Sequence, residues 1–146
     1  MKFDVRLNHA WWVLRLGFGL VPIAAGCDKF MNLLVNWEMY LNPLVPRLLH
    51  VQPVTFMHAV GIIEIVAGVL VLTPLTRYAA YIVMLWLIGV ALNLVTQGAY
   101  MDVAVRDISM SLGAFALAKL TEVREAAGVH AEAAPSKRSA DVRAVA

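Results

Sequence analysis

Four long apolar stretches dominate this chain, and they fix the solvent it must fold in. The runs from about His9 to Gly26, Val54 to Leu72, Thr76 to Thr96 and Val103 to Leu120 each approach the roughly 20 helical residues that a hydrocarbon core of about 30 Å requires. Lipid offers a peptide group no hydrogen bond, so such a run must satisfy its own backbone as a helix. Pro53, Pro74 and Gly98 fall at the borders, where helix breakers belong. Hydrophobic residues make up 61% of the 146, against about half in a water-soluble domain. The expected class is therefore all-α: an integral membrane protein with one four-span domain over residues 1–121. The Ala-rich, charged stretch 122–146 is expected to fray and then become a disordered cytoplasmic tail.

Basic residues set the direction. With the N-terminus cytoplasmic, Lys2, Arg6, Arg77, Lys119, Arg124, Lys137, Arg138 and Arg143 lie inside. Lys29 and Arg47 lie outside, with Arg15 and Arg106 within spans. Both termini are thus expected on the cytoplasmic side, with Trp11, Trp12 and Tyr78 at the inner interface and Tyr100 at the outer one. The short connections around Pro74 and over Gln97 to Asp102 make neighbours antiparallel, which predicts an up-down-up-down four-helix bundle. The longer first connection mixes Leu33, Leu34, Trp37, Tyr40 and Leu41 with Asn32, Asn36, Glu38 and Asn42. It predicts a short amphipathic helix on the outer face within Met31 to Leu49, broken at Pro43 and Pro46. The N-terminal basic residues, apolar run and Ala24-Ala25-Gly26-Cys27 imitate a lipoprotein signal. Arg15 interrupts that run and three spans follow it, so the segment is expected as a retained helix.

Several chemistries are excluded early. A net charge of +2 gives no reason to invoke nucleic acid. One cysteine, Cys27, rules out an internal disulfide, a CxxC pair and a cysteine zinc cluster. His58 is the one histidine within a span, which leaves haem without a second axial ligand, and no metal site is expected.

What remains is the set of ionisable residues inside the spans, each of which costs roughly 2.5–3.5 kcal/mol to insert. Arg15, Gly19, Pro22, Gly26 and Lys29 share one helical stripe, and Met57, Gly61, Glu64 and Gly68 another. Small residues on such stripes let backbones approach. Gly89, Asn93 and Gln97 line up on the third span; Arg106, Ser109 and Gly113 form one row on the fourth, with Asp107 and Ser111 beside it. By depth, Glu64 lies near mid-membrane, while Asp28, Lys29, His58, Asn93, Arg106 and Asp107 lie in the outer third. The expected site is a polar pocket opening outward, walled by those residues and floored by Glu64 with Arg15 beneath. The plainer alternative is that Arg15 pairs with Glu64, and Arg106 with Asp107, only to fix packing.

The runs Leu14-Arg15-Leu16-Gly17-Phe18-Gly19-Leu20 and Gly26-Cys27-Asp28-Lys29-Phe30 resemble the first helix of DoxX-like membrane proteins. Gly61-Ile62-Ile63-Glu64-Ile65-Val66-Ala67-Gly68 resembles their second, with Thr76-Arg77 and Arg106-Asp107 fitting the third and fourth. The similarity runs from about Arg6 to Leu120. It implies a four-helix bundle in the bacterial cytoplasmic membrane. It also implies an accessory role in quinone-linked redox work, beside a partner redox protein. Arg15, Lys29, Glu64, Arg106 and Asp107 are the positions carried over.

Three functions follow as expectations. In a redox accessory subunit, Glu64 would exchange a proton with a quinone headgroup while Arg106 or Lys29 bonds its carbonyl. Without a flavin or nicotinamide glycine fingerprint or a thiol pair, the chain is at most a non-catalytic or quinone-binding subunit. In a structural or assembly protein the charges serve packing alone. A small-solute or proton-linked transporter with so few spans would need to form a homo-oligomer.

Overall fold

The computed structural model describes residues 5–133, with side chains through 128. Five α-helices and a 3-10 turn follow one another: α1 (Val5–Met31), the turn Trp37–Tyr40, α2 (Leu44–Leu49), α3 (Pro53–Leu72), α4 (Thr76–Gln97) and α5 (Met101–Ala133). No strand occurs among the described residues. Helices α1, α3 and α4 are long and apolar enough to cross a membrane; α5 carries more charge.

The boundaries follow local chemistry. Asn32 takes a left-handed φ of 49° and closes α1. Pro53 opens α3 after an extended Gln52, at a position where its missing N–H would have had no partner. Thr73, forced toward extended backbone by the following Pro74, ends the same helix. Gly98, with φ 73°, caps α4 as glycine does where the left-handed region is needed.

The first connection departs from expectation. No single amphipathic helix spans it; an irregular stretch leads into the 3-10 turn, and α2 then runs straight through Pro46. Pro46 is tolerated because it stands in the first turn, where backbone N–H groups have no intrahelical acceptor. At the other end, α5 continues to Ala133, well past Glu122 where a frayed start of the tail was expected. Residues 134–146 lie outside the described residues.

The long helices pack as two antiparallel pairs. In the first, Gly26 of α1 meets Gly61 of α3, and Gly19 meets Gly68. A Cβ at Gly26 would come within 2.5 Å of the Gly61 carbonyl oxygen, and one at Gly68 within 2.5 Å of the Gly19 oxygen. Both contacts are backbone to backbone, so nothing larger than glycine fits. In the second pair, Tyr81 of α4 stacks edge-on with Phe115 of α5 and donates to Glu122 Oε1 at 2.9 Å. The two pairs join through a core of Trp11, Val71, Ala79, Ala80, Val83, Ala114, Leu117 and Ala118, drawn from all four long helices. Trp11 is 2% exposed and belongs to this core, whereas Trp12 and Tyr78 are exposed.

The outer faces of all four long helices are largely apolar and bare. Val13, Leu16 and Leu20 on α1, Ile62 and Val66 on α3, Ile82 and Leu85 on α4, and Val105 and Leu112 on α5 all project outward. Water would penalise this surface; acyl chains match it.

Candidate functional site: a buried ion pair between α1 and α3

The glycine contacts bring the last turn of α1 against the middle of α3, and the one ionised pair between them sits there. Lys29 Nζ donates to Glu64 Oε2 at 2.6 Å, with side-chain exposures of 3% and 16%. The Lys29 ammonium also lies 3.7 Å from the centroid of the Trp37 ring, a cation–π contact strengthened by the absence of water. Trp37 is held there by Asp28, whose Oδ2 accepts from the indole N–H at 2.7 Å. Asp28 Oδ1 in turn accepts from the Leu33 and Leu34 backbone N–H groups at 3.0 and 3.2 Å. Asp28, itself buried, therefore folds the first loop over the ion pair.

Two further helices complete the surroundings. The buried indole N–H of Trp86 on α4 makes no hydrogen bond of strict geometry, but it acts as a donor toward the Glu64 carboxylate. Asp107 on α5 is buried, repels Glu64 and attracts Lys29. Its own partner is Arg106, which reaches Oδ1 at 3.2 Å from a side chain 62% exposed. Lys29 thus stands between two carboxylates, and all four long helices contribute a polar group to one layer.

Arg15 is elsewhere. Its Nε and Nη2 donate to the carbonyls of Val71, Leu72 and Thr73 at 3.1, 2.6 and 2.9 Å. It caps the C-terminal end of α3, where the helix dipole favours a cation. The expected Arg15–Glu64 pair is replaced by Lys29–Glu64, because antiparallel packing sets Arg15 against the end of α3 and not its middle. On α5 the inward row is Asp107, Ser111, Ala114 and Ala118, while Arg106 and Ser109 face outward.

The remaining positions serve the first loop. Asn93 donates to the Tyr40 carbonyl at 2.7 Å and accepts from the Asn42 N–H at 3.2 Å; Gln97 donates to the Met39 carbonyl at 3.1 Å. Together they staple the 3-10 turn to α4. Gly89, on the same expected row, touches nothing within 4 Å of an added Cβ. His58 stacks on Phe30, centroids 4.8 Å apart. Two hollows lie at the ends of the molecule: about 500 Å³ among Arg47, His50 and Pro53, and about 250 Å³ beside Trp11 and Arg15. Among the described residues no three His, Cys, Asp or Glu side chains come together to hold a metal.

Trp37 and Trp86 are the contributors that sequence reasoning missed. Nothing in a stripe of apolar residues separates an indole that packs from one whose N–H or ring face meets a charge.

Long helices with bare apolar outer faces, glycine-to-glycine backbone contacts and a desolvated ion pair define a helical membrane protein in contact with a lipid bilayer. A sequence model of the DoxX family matches residues 10–96, which is more than half of the chain, and the protein belongs to that family. The match includes Arg15, Lys29, Glu64 and Trp86 and stops short of Arg106 and Asp107. No curated protein and no solved structure matches it.

Proposed function

We propose that this protein is a multi-pass accessory subunit of a quinone-linked redox system in a bacterial cytoplasmic membrane, and that the Lys29–Glu64 layer is its working site. The observation that carries this reading is an ion pair nearly sealed from solvent, with a buried third donor, the Trp86 N–H, turned toward the same carboxylate without a well-formed hydrogen bond. Taking both charges out of water is expensive, and packing alone could be served by apolar side chains of similar volume. A quinone headgroup presents carbonyl oxygens that want donors, and Trp86, Lys29 and Arg106 supply donors of the right kind. When bound, it contributes the electron-accepting and proton-accepting chemistry the chain itself lacks. Glu64 Oε2 would then release or receive a proton, Lys29 would steady the resulting charge, and the Asp28-anchored loop would keep water out. Opening toward the outer side requires that loop, held by Asp28 and Asn93, to move. Electrons must come from a partner redox protein, since no residue here carries them.

In this reading α5 is the fourth span, supported by its bare apolar face at Val105 and Leu112, and both termini are cytoplasmic. Protein purified with its native lipids should contain quinone, and added quinone should raise its unfolding temperature, with the effect lost in Glu64→Gln. Absence of both would count against the proposal. The completeness of the loop network favours a second reading, an assembly protein without a ligand. On that reading a Lys29→Met/Glu64→Leu double variant would leave the cellular phenotype intact.

A further inference from the structure

At the opposite end from the ion pair, the hollow of about 250 Å³ is bordered by two arginines, Arg15 and Arg124, with Trp11 between them. The Arg15 guanidinium carbon lies 4.8 Å from the Trp11 ring centroid and that of Arg124 lies 4.0 Å from it. Trp11 is immobilised, since its indole N–H donates to Thr121 Oγ1 at 2.8 Å. Two like charges are therefore held on one ring, close enough to act on each other. Neither has a carboxylate within salt-bridge distance among the described residues. Glu125 borders the same hollow but turns to Arg77 Nη1, 3.6 Å away.

Arg15 uses Nε and Nη2 on the end of α3, which leaves Nη1 without an acceptor among the described residues. Arg124 makes no hydrogen bond among the described residues. The Thr76 and Thr121 hydroxyls already donate to the carbonyls of Val71 and Leu117 at 2.9 and 2.7 Å, and Pro74 has no N–H. The hollow thus offers unused guanidinium donors and an excess of positive charge, two arginines against the single carboxylate of Glu125 on its border. An anion bridging the two forks would turn their repulsion into attraction, and planar guanidinium groups suit phosphate oxygens in particular.

We infer that Arg15 and Arg124 form a binding site for a phosphate group at this end of the molecule. The site is independent of the Lys29–Glu64 layer. A phospholipid headgroup and a soluble phosphate would present the same oxygens, and the end of a membrane helix is within reach of either.

The test is thermal unfolding of the full chain in neutral detergent with added phosphatidylglycerol, phosphatidylcholine or inorganic phosphate. The expected result is stabilisation by phosphatidylglycerol or by inorganic phosphate beyond that given by phosphatidylcholine. The first without the second identifies a lipid headgroup, and the second identifies a soluble anion. Arg124→Gln leaves the Arg15 cap on α3 in place and should weaken the effect about tenfold, as expected for loss of one charge-assisted pair. Arg124→Lys, which keeps the charge but not the fork, should fall between the two and serves if the glutamine variant does not fold. Arg47→Gln, at the other end, should behave as the parent. Stabilisation by neither additive would overturn the inference. So would an Arg124→Gln response equal to the parent's, or an equal loss in Arg47→Gln.

Discussion

The Lys29 ammonium is compensated by Glu64 at 2.6 Å, by the Trp37 ring face and, at longer range, by Asp107, so the two halves of the pair are not equivalent. Removing Lys29 strands two carboxylates in a desolvated layer, with only the largely exposed Arg106 to answer for one of them. Removing Glu64 leaves the ammonium with Asp107 and the indole. Lys29→Met should therefore destabilise by roughly 3–5 kcal/mol, the range for breaking a buried pair, and Glu64→Gln by clearly less, measured by denaturant unfolding in one detergent. Equal losses would show that Asp107 and Trp37 contribute nothing.

Glu122 lies past the apolar part of α5, and the hydrogen bond from Lys119 and then that from Tyr81 hold its carboxyl below the ordinary value. A lowered folded-state pKa means stability that is present above the unfolded value of about 4.3. That stability is lost as pH falls through the lower folded value. In Glu122→Gln the acid side of the stability profile should be flatter than in the parent over that window. Thermal unfolding at a series of pH values would read the difference.

At the scale of elements, glycines sort by what stands opposite them. Gly26 and Gly68 have a backbone carbonyl 2.5 Å from where a Cβ would sit, whereas Gly17 and Gly89 have nothing within 4 Å. Gly26→Ala and Gly68→Ala should push α1 and α3 apart and destabilise by about 1–3 kcal/mol, as overpacking does. Gly17→Ala and Gly89→Ala should be neutral or stabilising by about 0.5–1 kcal/mol, because alanine restricts the unfolded chain in a helix interior. Denaturant midpoints of the four variants decide it. The Gly19/Gly26 and Gly61/Gly68 stripes were legible from their spacing alone. The rows on α4 and α5 were not: Gly89 and Arg106 share a helical face with residues that pack, yet both point outward. A stripe gives an angle around a helix, and only the neighbour says which angle is inside.

For the whole molecule, the proposed four spans place the turn at Gln97 to Asp102 outside and that at Pro74 inside. In a Cys27→Ser background, a cysteine at Gly98 should react with a membrane-impermeant maleimide on intact cells, and one at Leu75 only after lysis. The opposite pattern would invert the topology.

The helices themselves, their apolar outer faces and the close approach of α1 to α3 are properties of the amino-acid order. Backbone satisfaction in lipid acts between near neighbours along the chain, and helical spacing alone puts the glycines of each helix on one face. Which cation meets Glu64 was decided in three dimensions. Lys29 and Arg15 occupy the same stripe, two of its members separated by several turns, and either could be drawn beside a carboxylate on paper. The antiparallel register set by Gly26 on Gly61 and Gly19 on Gly68 carries Arg15 to the free carbonyls of Val71 to Thr73 and brings Lys29 to the carboxylate. Charge pairing depends on distances of a few ångströms between residues far apart in sequence, and those distances exist only once the backbones have docked.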